Sequence, residues 1–147
     1  MNNSVCRLLV VEDDPVDQMA LKRLLKKERL SFQTTMADSL AQARERLAAA
    51  TFDVVVTDYR LGDGVALDLF EWVQGAPVIV VTGGGDEEVA IQAMKAGAYD
   101  YLIKDRERNY LNLLPVVVQQ ALDHRLAEQR VRRNHDLQNT INAVLRI

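Results

Sequence analysis

Four short groups of residues in this chain have types and positions that suit chemistry. Glu12, Asp13 and Asp14 close an apolar run over residues 5–11. Asp58 follows the run VVVT, Thr82 follows PVIVV, and Lys104 follows an apolar stretch over 99–103. Carboxylates crowded together repel, and each costs free energy unless a cation joins them. Hard oxygen donors with open positions suit Mg²⁺, which keeps several waters and often bridges carboxylate to phosphate. A lysine adds positive charge, and a threonine hydroxyl can donate to an oxyanion. Together these fit phosphoryl transfer, which needs positioning and charge neutralisation more than an elaborate catalyst. An aspartate carboxylate can itself be the nucleophile and become an acyl phosphate.

These groups meet only if the elements carrying them end at one rim. The stretch DVVVTDYRLGDG, residues 53–64, is the centre of that arrangement. Its short β-branched apolar run, closed by turn residues, predicts a buried parallel strand. Asp58 then lies at the carboxyl end of a central strand, where open α/β sheets place ligand chemistry. Strands are also predicted over 5–11, 32–36, 77–81 and 99–103. Pro15 suits the first turn of a helix reaching about Arg29, with the acids before it complementing the helix dipole. Asp38 or Ser39 caps a second helix through about Ala50, and a short helix carrying Leu67, Leu69, Phe70 and Trp72 spans 65–73. Gly83, Gly84 and Gly85 form a loop, and Asp86 caps a fourth helix that Gly97 stops. The last helix starts between Glu107 and Leu111, with Pro115 required in its first turn. Strand and helix thus alternate five times. That order predicts an α/β fold with a doubly wound, five-stranded parallel sheet, a (βα)5 arrangement with right-handed crossovers.

The totals agree with one domain. The chain has 147 residues and a net charge of −3, which points to neither nucleic acid nor an anionic membrane as partner. The lone cysteine, Cys6, excludes a disulfide framework and reads as a small buried hydrophobe. No apolar run nears the roughly 20 residues that span a bilayer, and the N-terminus lacks a signal-peptide pattern, so the cytoplasm is the expected location. Helical pattern continues to the last residue, Ile147, past the domain. Residues 1–125 are read as the domain and 126–147 as a helical extension feeding a further domain, with a weak heptad signal broken around 130–136.

LLVVEDDP, VVVTDYRLGDG, VIVVTGGGDEE and AGAYDYLIKD, in this order and spacing, resemble the response-regulator receiver domains of bacterial two-component signalling. The resemblance covers about residues 5–125. It implies the flavodoxin-like receiver fold and a phosphorelay function, in which a histidine kinase or phosphotransfer protein donates its phosphoryl group to Asp58. It implies Mg²⁺ held by Glu12, Asp13, Asp58 and the backbone carbonyl of Arg60, with Asp13 a direct ligand and Glu12 acting largely through water. Thr82 matches the switch hydroxyl, Tyr101 the aromatic that follows it, and Lys104 the lysine that engages the phosphoryl oxygens. The output surface would be the face of the fourth helix, fifth strand and fifth helix. That face or the C-terminal helix is the expected place for a homodimer.

The chain departs from the family at three places. Asp105 follows Lys104 where the family has a cis-proline, and a trans bond is expected because a cis bond before a non-proline costs roughly 3 kcal/mol. The loop after Asp58 lacks the usual proline and is short, so the third helix is expected to begin early. Arg60 and Gly84 occupy positions that tune phosphoryl lifetime in the family. Two other classes fit less well. An aspartyl-phosphate phosphohydrolase would want an acid where Arg60 stands, and a flavin or nucleotide binder would want a phosphate loop where the acids 12–14 stand. A degenerate receiver acting as a scaffold is disfavoured by the matched residues. His124 and His135 read as solvated helix histidines.

Overall fold

The computed structural model describes residues 5–27, 32–83 and 87–146. Five strands form one parallel sheet: β1 (Cys6–Val11), β2 (Phe32–Ala37), β3 (Val54–Asp58), β4 (Val78–Gly83) and β5 (Asp100–Lys104), in the order β2-β1-β3-β4-β5. The helices are α1 (Pro15–Lys27), α2 (Leu40–Ala49), a 3₁₀ helix (Ala66–Trp72), α3 (Glu87–Lys95) and α4 (Tyr110–Leu145). The expected cap Asp86 and loop residues Gly84 and Gly85 lie outside the described residues, as does Arg29.

Successive side chains of a strand point to opposite faces, so a sheet covered on both sides needs continuous apolar strands. Leu8 and Val10 pack with Val54, Val56, Ile79 and Val81 beneath α1 and α4, against Leu21, Leu25, Leu114 and Val118. Leu9 and Val11 pack with Val55 and Val80 on the other face, against Leu40, Leu47, Leu69 and Ala93. The register sets Val11 beside Thr57, Asp58 beside Val81 and Gly83 beside Lys104. Asp58 and Lys104 therefore end their strands at one rim, with Thr82 one residue before the end of β4. Cys6 is buried as expected; burial, then the Asp53 charge, pushes its thiol up to about 12.

The third helix differs in kind from the α-helices. After Asp58, Arg60–Leu61 and Gly64–Val65 pair as a two-residue antiparallel ladder. Gly64 has φ +154, and a Cβ there would meet Leu40 Cδ1 at 2.5 Å. The seven residues that follow wind as 3₁₀, which eclipses residues three apart. That spacing puts Ala66 and Leu69 together in the core with Trp72 packed at its edge.

Asp63 fastens this loop to α2. Its carboxylate accepts from the backbone N–H of Leu40 (2.9 Å) and Ala41 (3.0 Å), while Ser39 caps the same helix from Gln42 N–H at 3.1 Å. These bonds, Leu40's first, hold the Asp63 carboxyl below its ordinary value. Asp63→Ala is expected to lower stability by about 1 kcal/mol, as loss of a helix cap does. Urea unfolding at neutral pH checks this, and the difference should shrink as acid protonates Asp63 in the parent, because a depressed carboxyl stabilises only above its folded pKa.

Pro115 is not in the first turn of the last helix. α4 begins at Tyr110, so Pro115 lies within the second turn, still buried against the sheet. The reason is local. Asp105 Oδ1 accepts from Tyr110 N–H at 3.3 Å, and the opening turn is tightly wound, with Leu111 N donating to Arg108 O and Asn112 N to Asn109 O. The missing N–H of Pro115 leaves the Leu111 carbonyl without its usual donor. α3 ends as expected: Gly97 (φ +109) closes it, with Gly97 N bonded to Met94 O and Ala98 N to Ala93 O, the paired bonds of a Schellman turn. The last buried residue of α4 is Ala121, and residues 130–146 are all exposed. Arg125 ties the helix to the base of the domain through the carbonyls of Gly75 (2.6 Å) and Gln74 (3.4 Å). Among the described residues, no helix is long and apolar enough to cross a membrane.

Candidate functional site

The acids at the end of β1 are placed by backbone bonds. Glu12 N–H continues the ladder to Ala37 O at 2.9 Å, and Gln18 donates its side-chain amide to Glu12 O. Asp14 turns away to cap α1, accepting from Val16 N–H at 2.9 Å. Glu12, Asp13 and Asp58 each offer a carboxylate oxygen within 4.8 Å of the others. Glu12 and Asp58 are only 2% and 8% exposed, whereas Asp13 is open to solvent.

Lys104 reaches into this cluster from the end of β5. Its Nζ lies 2.9 Å from Asp58 Oδ1 and 3.0 Å from Asp58 Oδ2, and donates to Glu12 Oε2 at 3.0 Å. It also donates to Asp17 Oδ2 at 3.0 Å. Asp17 did not stand out in the sequence, where an acid in a first helical turn has an ordinary dipole role. No local signal marks it, because the lysine it pairs with lies 87 positions away in the chain. The Lys104–Asp105 peptide is trans, as expected, and the aspartate that replaces proline supports the start of α4.

Burial, then the neighbouring Glu12, pushes the Asp58 carboxyl up to about 8, against the pull of Lys104. Burial alone would lower the Lys104 ammonium, but Asp58, Glu12 and Asp17 hold it well above its ordinary value. Four carboxylates thus share the rim with this one ammonium. Mutual repulsion of buried acids is relieved by a dication, and the oxygen-only donor set with one solvent-open member fits Mg²⁺.

Thr82 is 2% exposed, and its hydroxyl is the one buried side-chain polar atom among the described residues without a hydrogen-bond partner. An orphaned buried hydroxyl is unfavourable and uncommon at rest. Thr82→Val is therefore expected to leave stability unchanged or slightly higher, by up to about 1 kcal/mol. Thermal unfolding checks this, and a clear loss would mean that the hydroxyl has a partner.

The remaining residues fall as follows. Tyr101 is 38% exposed and lines a groove with Ile91, Met94 and Ile103 between β5 and α3. Arg60 is exposed, with its guanidinium 5.8 Å from the Tyr59 ring centroid. His124 pairs with Glu128 at 3.1 Å and touches Tyr99, and His135 contacts Asn139; both lie on exposed turns of α4.

Known proteins share the sequence pattern and the fold. The family model described as the response regulator receiver domain matches residues 8–114. The response regulator protein PilR of Pseudomonas aeruginosa is 40% identical over 102 residues, covering 67% of this chain and 22% of PilR. The photosynthetic apparatus regulatory protein RegA of Rhodovulum sulfidophilum is 36% identical over 106 residues, 69% of this chain and 57% of RegA. The chain thus spans less than two thirds of either relative. A crystal structure of a response regulator receiver domain protein from Clostridium thermocellum superposes with a TM-score of 0.73 at 25% identity, covering 84% of this chain and 98% of that one.

Proposed function

Because the chain belongs to the response regulator receiver domain family, a signalling module of two-component systems, we propose that Asp58 is its phosphoacceptor. The observation that carries this reading is the convergence of buried Asp58 with Glu12, Asp13 and Lys104 at one rim, beside the orphaned Thr82 hydroxyl. A carboxylate oxygen of Asp58 attacks the phosphorus of a kinase phosphohistidine or a small acyl phosphate. The bond from phosphorus to the donor breaks as the acyl phosphate forms. Glu12, Asp13, Asp58 and the backbone carbonyl of Arg60 would hold Mg²⁺, which when bound neutralises charge on the transferring group. Lys104 supplies a fixed cation for the phosphoryl oxygens, and the Thr82 hydroxyl gains the acceptor it lacks at rest.

The module promotes its own phosphorylation and dephosphorylation and works on no separate substrate. Movement of Thr82 is transmitted to the face of α3, β5 and α4, with Tyr101 following, and onward along α4. Residues 1–125 form the receiver, and 126–147 act as a helical extension carrying the change to another domain, in the cytoplasm. A sensor histidine kinase or phosphotransfer protein is the donor partner, and the α3–β5–α4 face or the C-terminal helix is the homodimer surface. Borohydride reduction of phosphorylated protein, followed by peptide mass spectrometry, tests the assignment. Homoserine at position 58 is expected, and label at another acid or at a histidine would overturn it.

A further inference from the structure

We propose that Asp17 is a positioning residue that keeps Lys104 at the rim when a divalent cation takes the oxygens of Glu12 and Asp58. The inference rests on the reading of the acidic cluster given above. Lys104 has three N–H donors and three carboxylate partners, and these partners differ in kind. Glu12 and Asp58 belong to the compact metal-ligand group with Asp13, whereas Asp17 stands outside it on α1. A cation bound in the group competes with the ammonium for Glu12 Oε2 and the Asp58 oxygens, and repels it as a like charge. Asp17 Oδ2, 3.0 Å from Nζ, offers a partner that the cation does not claim.

The second oxygen of Asp17 is also placed. Asp17 Oδ1 lies 3.8 Å from a terminal guanidinium nitrogen of Arg108, and the Asp17 side chain is 16% exposed. Arg108 adopts φ 57, a left-handed conformation, in the short loop between β5 and α4. Asp17 thus bridges two cations of the same loop region, one at each oxygen, and joins α1 to the segment that carries Lys104. Without the Asp17 charge, Lys104 has only cluster carboxylates to pair with and competes more strongly with the metal.

Calorimetric titration of the full chain with MgCl₂ tests this in the parent, Asp17→Asn, Lys104→Met and the double variant. Asp17→Asn is expected to weaken Mg²⁺ binding about tenfold in the parent and by no more than about threefold beside Lys104→Met, the excess being the coupling between the two side chains. Asp17→Glu, which keeps the charge, is expected to bind within about twofold of the parent. An equal Asp17→Asn effect in both backgrounds, or none in either, overturns the inference while leaving the metal site intact. A parent that binds no Mg²⁺ overturns the metal site itself and the inference with it.

Discussion

Asparagine at position 58 is expected to abolish phosphoryl uptake and, at pH 8 without divalent cation, to make the folded protein more stable. The carboxamide keeps the shape of the side chain but cannot form the acyl phosphate. The stability effect follows from where the carboxylate sits. Burial, then Glu12, raises the Asp58 carboxyl to about 8 in the folded chain, against about 4 for an unfolded aspartate. The folded state therefore holds that proton more tightly than the unfolded state. Stability from this group is full below about pH 4 and declines as pH rises towards 8. Asparagine removes the decline, while Lys104 keeps Glu12 and Asp17 as partners. A gain on the order of 1 kcal/mol is expected at pH 8. Urea unfolding of parent and variant at pH 5 and pH 8 should show the gap widening with pH. A variant less stable than the parent at pH 8 would contradict the balance of burial and repulsion over the Lys104 pairing.

The same raised carboxyl makes metal binding strongly pH-dependent. Mg²⁺ needs the deprotonated oxygen, so below about pH 8 a proton on Asp58 competes with it. Affinity is expected to climb about tenfold per pH unit between pH 6 and 8, with close to one proton released per ion, and to level off above that. Calorimetry in two buffers of different ionisation enthalpy reads both quantities. Removing Mg²⁺ with a chelator should destabilise the protein more at pH 8 than at pH 6, because the ion is bound more tightly at the higher pH. An affinity that is flat from pH 6 to 8 would mean that Asp58 is already ionised in the metal-free site.

Most of the scaffold was legible because its signals are local. Val54–Val56 and Val78–Val81 are buried on both faces and so carry no polar interruption, and the acid, threonine and lysine at or next to the strand ends mark the rim directly. Gly97 and Ser39 acted where turn and cap chemistry place them. What escaped depends on contacts between distant segments. Asp17 looks like any acid near a helix start, and only folding brings it to a lysine 87 positions away. Asp63 looks like a turn residue, and only the chain's return past α2 makes it a cap for Leu40 and Ala41. Pro115 was placed by a rule of helix starts, but Asp105 and buried Tyr110 begin the helix earlier than that rule allows. The 3₁₀ winding of Ala66–Trp72 follows from the loop anchored before it, which the residues of the helix do not announce.

The most direct test of Asp58 as a metal-dependent phosphoacceptor is intact mass after incubation with acetyl phosphate, with and without Mg²⁺, beside Asp58→Asn. An adduct of about 80 Da that requires both Mg²⁺ and Asp58 is the expected result, since the acyl phosphate forms on that carboxylate. An adduct that persists in Asp58→Asn, or that forms equally well in excess chelator, would contradict the account.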